Sequence, residues 1–412
     1  MLKVQKASRQ GSFTRGAWKA GSPSAALMMA GLFALAGSSS ASTTTLYVSA
    51  SAKAGGAGTS CATARYPAIG SAIAAASAGA TVVVCPGAYT GEVTLTKPLV
   101  LRGEGATIFA DGHDNGVLVP VSDSTVEGFT VKGALGEGIL VVGKPGVPVT
   151  HVTIKGNLVE GNDQGNPTGA IISKSSYREC NGSTSSGAGD CGEGIHLMTV
   201  ADSVVEGNIV GDNSGGILLS DELGPTDHNL IEGNQVGYNL LACGITIASH
   251  SGKGFVKGAT VPAAGGVYDN TIEHNTVVAN GTTADGAGVL LATPLPGGAV
   301  YDNTVVGNTI SGNGQSGITV HSHVPGQDLN GNVIEGNTIG VNNLAGDYDF
   351  SPNVDPRTTG VLVGTAQGPI TITVKGNSIS DDSVGIWTTG PVTVSGMAAN
   401  SFKGVAVHSA EN

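Results

Sequence analysis

One unit is written over and over between Ala201 and Asn343, and this repetition limits the possible fold more than any other feature. It reads DSVVEGNIVGDN, HNLIEGNQVGYN, DNTIEHNTVVAN, DNTVVGNTISGN and GNVIEGNTIGVN in turn. A unit copied in this way cannot bury its apolar face alone and gains a core only by stacking on its neighbours.

The columns of the repeat say how a unit is built. The asparagine of each Gly-Asn or His-Asn pair falls at Asn157, Asn208, Asn234, Asn275, Asn308, Asn337 and Asn377. Three residues earlier stand Ile154, Val205, Ile231, Ile272, Val305, Ile334 and Val374, and two residues later Val159, Val210, Val236, Val277, Ile310, Ile339 and Ile379. Both columns are β-branched, as strands prefer. An odd separation cannot keep both on one face of a straight strand. The chain must therefore bend at the asparagine, a residue that tolerates left-handed backbone and bonds locally.

A second polar column follows at Asn162, Asn213, Asn239, Asn280, Asn313, Asn342 and Asp382. A glycine comes next, then a short strand such as Gly216-Ile217-Leu218-Leu219 or Gly317-Ile318-Thr319-Val320. Each unit thus reads as three short strands and three bends. Units stack at about 4.8 Å into parallel sheets, with the amide columns hydrogen-bonded along the stack. The fold class is all-β, a parallel solenoid of about ten coils that resembles the right-handed parallel β-helix. The repeat resembles the pectin-lyase-like superfold and the NosD-type, carbohydrate-binding and sugar hydrolase repeats, from Leu46 to the C-terminus. That resemblance implies a fold and not one activity, because the scaffold hosts lyases, hydrolases, epimerases, adhesins and non-enzymes.

Residues 1–41 read as a secretory signal: a leader with Lys3, Lys6, Arg9, Arg15 and Lys19, an apolar run from Ala25 to Ala36, and a small-residue site at Ser39-Ser40-Ala41. Its removal takes five of the 19 basic residues and none of the 31 acidic ones, leaving 14 basic residues and a net charge of −17. That balance disfavours nucleic acid and bare polyanions as partners, and leaves an acidic glycan only through a bridging cation. The mature chain, 42–412, is expected to be one β-helix domain, secreted, monomeric and without a membrane anchor. Pro67 to Ala78 reads as a short helix capping the open N-terminal end of the stack. The exported setting permits disulfides, expected as Cys61–Cys85 across that cap and Cys180–Cys191 within a long insertion. Cys243, just before a core strand, reads as a buried thiol.

Insertions interrupt the repeat near 163–191, 251–267 and 343–359. Loops of that length in a compact repeat tend to carry function, and in the pectin-lyase-like family they wall the substrate groove. The groove is expected outside the glycine-led sheet. Its outward positions, two, four and six residues past the glycine, collect Glu222, His250, His321 and His323, with Asp221 just before Glu222. A carboxylate beside an imidazole supplies general acid–base catalysis. Asp221 and Glu222 can hold Ca2+, as pectate lyases of this fold do, and several histidines with acids can hold a transition metal. His196, Trp387, Asp347, Asp349 and Arg357 complete the expected substrate-binding set, Trp387 as a ring on which a sugar stacks.

The function these residues suggest is action on an extracellular polysaccharide, as a lyase or a glycoside hydrolase. A hydrolase would show paired carboxylates facing one cleft. Two alternatives are a non-catalytic secreted solenoid that binds glycans or serves as an adhesive or structural module, and a NosD-like metal-related accessory protein. The scarcity of aromatic residues and of arginine argues against a long, tightly gripping glycan cleft.

Overall fold

The computed structural model describes residues 44–53, 56–164, 192–250, 265–283, 286–293, 296–322, 324, 326–346, 357–365 and 367–411. The expected signal at 1–41 lies outside the described residues. So do Cys180, Cys191, His323, Asp347, Asp349, the 251–264 segment and most of the other two insertions.

The chain winds as a right-handed coil of parallel rungs. Among the described residues the first sheet has 12 strands, from Thr45–Val48 to Val392–Ser395. The second has 11, from Gly87–Thr90 to Ser401–Lys403, and the glycine-led third has 11, from Val93–Thr94 to Val407–Glu411. The β-branched columns stack in register: Ile154, Val205, Ile231, Ile272, Val305, Ile334 and Val374 pair directly along the first sheet. Val159, Val210, Val236, Val277, Ile310, Ile339 and Ile379 do so along the second. Every member is buried, so the columns form one continuous apolar core. A helix at Ile69–Ala75 buries Ile69, Ala72 and Ile73 in that core, and Cys61 and Cys85 are disulfide-bonded. Cys243 is 4% exposed, and its sulfur accepts from the Ala287 N–H.

Two details differ from the sequence expectation. The left-handed residue at each corner is the one before the asparagine: Gly207 at φ 61°, Gly233 at 62°, His274 at 53° and Gly307 at 66°. The asparagine itself acts through its amide. Asn308 Oδ1 accepts from the N–H and Nδ2 of Asn275, while its own N–H and Nδ2 donate to Asn337 Oδ1, all between 2.9 and 3.0 Å. Nδ2 also donates to the Ile272 carbonyl, which no aliphatic side chain could do. Buried corner groups are thereby satisfied from rung to rung, as burial away from water requires.

The second difference is an added side. A fourth sheet of five two-residue strands, from Val149–Thr150 to Val300–Tyr301, gives the central rungs four strands where three were expected. It ends at a third ladder, in which Asn229, Asn270, Asn303 and Asn332 bond one to the next. These asparagines stand five residues before the first column, so the spacing was present in the sequence.

The second ladder ends on an acid. Asp382 Oδ1 accepts from the Asn342 N–H at 2.9 Å, and its side chain is buried. Burial pushes the carboxyl up to about 7; the Asn342 N–H works against this and the neighbouring Asp381 adds to it. The folded pKa lies above the unfolded one, so the native state binds the proton more tightly. Its contribution is complete below about pH 4 and is lost as pH rises through 7. Asp382→Asn is expected to raise Tm at pH 8 by about 3 °C and to leave it unchanged at pH 4, read by calorimetry at both values.

Candidate functional site

The third sheet turns one face to the core and one outward, and the glycines decide which residues face out. A Cβ on Gly194 would stand 2.2 Å from Val210 Cγ1 in the core, so this position faces inward, as does Ile195 after it. With two successive residues turned inward, Glu193 and His196 both fall on the outer face. The same step occurs at Gly138, which puts Glu137 and Leu140 outside.

A chain of bonded polar side chains runs along this face from rung to rung. His196 Nδ1 lies 3.5 Å from Glu137 Oε1, and His196 Nε2 is 2.6 Å from Ser220 Oγ. Ser220 Oγ donates to Glu222 Oε2 at 2.5 Å, and Glu222 Oε1 accepts from His250 Nδ1 at 2.7 Å. Beside it Ser249 Oγ donates to Asp221 Oδ2 at 2.8 Å. Of the expected acid–base set, the structure brings Asp221, Glu222 and His250 together through these bonds. His321, in the strand Ile318–Ser322, stands two rungs beyond His250 on the same face, roughly 10 Å along the axis.

The face is more enclosed than a solvated groove. His196 and Asp221 are 0% exposed, His250 3%, and Glu222 and His321 9% each. Leu140, Val142 and Met198 form an apolar cluster at one end of the polar chain, and Leu362, Val384 and Trp387 form another toward the C-terminus. Trp387 is 1% exposed, and the Arg357 guanidinium lies 5.1 Å from its ring centroid. These two expected sugar contacts thus meet each other, in a cation–π pair that occupies the ring.

Glu222 bonded to His250 fixes the imidazole tautomer, with the proton on Nδ1 and the lone pair on Nε2. That is the arrangement of an oriented general base. Glu137, His196 and Ser220 follow the order of an acid–imidazole–hydroxyl triad. Ser220, however, is fully buried and sends its proton to Glu222, so it is not presented as a nucleophile. The Ca2+ expectation fits poorly. Both Glu222 oxygens already accept short hydrogen bonds, and their partners are an imidazole and a hydroxyl, whereas calcium takes six to eight oxygen ligands.

Glu137 and Glu193 were missed in the sequence. Each directly precedes the glycine of its strand, in the near-copies Gly136-Glu137-Gly138-Ile139 and Gly192-Glu193-Gly194-Ile195, where other rungs carry Gly215, Cys243, Ala287 or Ser316. That change of residue type within one column was the available signal.

Comparison with known proteins agrees with the architecture. A family model described as a right handed beta helix region matches residues 105–261. Among solved structures, an alginate lyase from Paenibacillus sp. str. FPU-7 aligns at a TM-score of 0.51 and 16% identity, over 79% of this chain and 96% of that one. The chain is a right-handed parallel β-helix of the pectin-lyase-like fold. The β-helix also aligns with the A-module of the Azotobacter vinelandii mannuronan C-5 epimerase AlgE4, at a TM-score of 0.48 and 16% identity over 81% and 89% of the two chains. Pectate lyase Pel9A gives 0.48 and 16% over 87% and 78%. Likeness at this identity extends to the fold alone. No curated protein sequence matches the β-helix. Among the described residues, no helix is long and apolar enough to cross a membrane.

Proposed function

We propose that this protein is secreted and acts on an extracellular polysaccharide by general acid–base catalysis, with His250 as the proton-transfer group and Glu222 as the carboxylate that orients it. The observation that carries the reading is the 2.7 Å bond between His250 Nδ1 and Glu222 Oε1 on the outer face of the glycine-led sheet. The side chains of His250 and Glu222 are only 4% and 2% exposed, so we place the sugar chain toward the His321 end of the row. Asp221, beside Glu222, supplies a second carboxylate. Trp387 and Arg357 serve as the firm far wall, and His196 supports Glu222 through Ser220. The fold shared with an alginate lyase is in keeping with a polymeric sugar as substrate.

The test is a panel of plant, algal and bacterial polysaccharides incubated with the purified protein, with and without Ca2+, reading new reducing ends and unsaturated products. Cleavage of one polymer class, with or without the ion, is the expected result. Silence across the panel overturns the reading. One observation favours a second reading, a non-catalytic solenoid that binds glycans: the outward row is buried along most of its length. Retention of the protein on a polysaccharide it does not cleave would establish that alternative.

A further inference from the structure

Glu137, Glu193 and His196 form a cluster beside the acid–base pair, joined to it through Ser220. They are 2%, 4% and 0% exposed. One oxygen of each carboxylate and one ring nitrogen lie within 4.8 Å of one another.

Proton bookkeeping shows what the imidazole presents to the two acids. The single hydroxyl proton of Ser220 goes to Glu222 Oε2, so Ser220 Oγ can only accept from His196 Nε2. In a neutral ring this leaves a bare lone pair on Nδ1. Among the described residues that buried atom has no hydrogen-bond partner, and Glu137 Oε1 is 3.5 Å away. A lone pair aimed at a carboxylate inside a protein is repulsive unless a positive centre stands between them. A metal ion there gives Nδ1 the partner it lacks and draws both carboxylates into the same shell.

We infer that Glu137, Glu193 and His196 bind one divalent transition-metal ion of the zinc class, through one oxygen of each carboxylate and His196 Nδ1. The donor set chooses the class: imidazole with carboxylate suits zinc and its neighbours, whereas calcium and magnesium prefer oxygen alone. The outer shell is already built. Ser220 holds Nε2, and Glu222 holds Ser220, the kind of support that orients a ligating histidine. The ligands come from two successive rungs, paired from Ile139 with Ile195 to Val142 with Met198. The ion therefore pins the strand Ile139–Val142 to the strand Glu193–Met198.

The experiment starts from the secreted protein, purified without chelator and assayed for metals by mass spectrometry. It is then stripped with EDTA and titrated with Zn2+ and with Co2+. One equivalent of metal per chain, a rise in Tm with Zn2+, and Co2+ absorption bands of nitrogen–oxygen ligation are expected. Glu193→Gln and His196→Ala are expected to weaken Zn2+ binding at least 100-fold, and Glu222→Gln, which disturbs only the outer shell, about 10-fold. A protein that isolates without metal and shows neither a Zn2+-dependent Tm nor a Co2+ spectrum overturns the inference. Stoichiometric binding that survives in both ligand variants does so too. Should those variants fail to fold, the Tm and Co2+ titrations of the unaltered chain decide alone. None of these readouts needs a sugar substrate, so the outcome is independent of the polysaccharide screen.

Discussion

Gly216→Ala is expected to destabilise the solenoid by on the order of 3 kcal/mol or more. The backbone at Gly216 is ordinary, so the effect does not come from conformational freedom. It comes from space: an added Cβ would stand 2.1 Å from the Gly244 carbonyl oxygen of the next rung and 2.4 Å from Val236 Cγ1. The carbonyl cannot retreat easily, because it accepts the Ile217 N–H at 2.9 Å as part of the third sheet. Relieving the contact means spreading two rungs at the point where the chain turns into the candidate site. Gly207→Ala supplies the comparison. That residue has φ 61° and nothing within 4 Å of the added Cβ, so only left-handed strain applies, about 1–2 kcal/mol. Urea unfolding of both variants checks the order. Equal losses would show that spacing between rungs is not what holds the glycine in place.

Glu222→Gln is expected to lower kcat on the polysaccharide substrate by about 10²–10⁴-fold with KM little changed. The amide keeps the size of the carboxylate and can still accept from His250 Nδ1. It lacks the charge that stabilises an imidazolium at His250 as the proton is taken. The limb of the pH–rate profile that reports the base should move with it, which a purely structural role for Glu222 would not produce. His250→Ala is expected to lose activity to at least the same extent. Turnover within a factor of three in both variants, with fold retained by circular dichroism, would remove His250 and Glu222 from the chemistry and transfer the proposal to another part of the face.

The two kinds of substitution probe two layers that were unequally visible in the chain. The core columns from Ile154 to Val374 were legible because every rung must repeat the same burial, and repetition is a sequence signal. The asparagine columns were legible as bends, while their working parts were exchanged: the preceding Gly207 or His274 takes the left-handed turn, and the amide does the bonding. The third ladder and the fourth sheet were overlooked because two-residue strands such as Val300–Tyr301 leave almost no alternation to read. Glu222 with His250 could be anticipated from strand spacing alone. Glu193 with His196 could not, because ordinary alternation puts the residue before the glycine inside.

The sequence by itself determined the frame of the rung: which residues enter the core and where the first two asparagine corners fall. A rung is a local object, and its rules are written within some thirty residues. Only the tertiary structure decided what meets across rungs. Glu137 reaches His196, Ser220 passes a proton toward Glu222, and Arg357 covers Trp387 because stacking brings distant segments into register. The stack also decided that the outward row is enclosed. Burial of a polar residue depends on everything packed around it, and no column of the repeat encodes that.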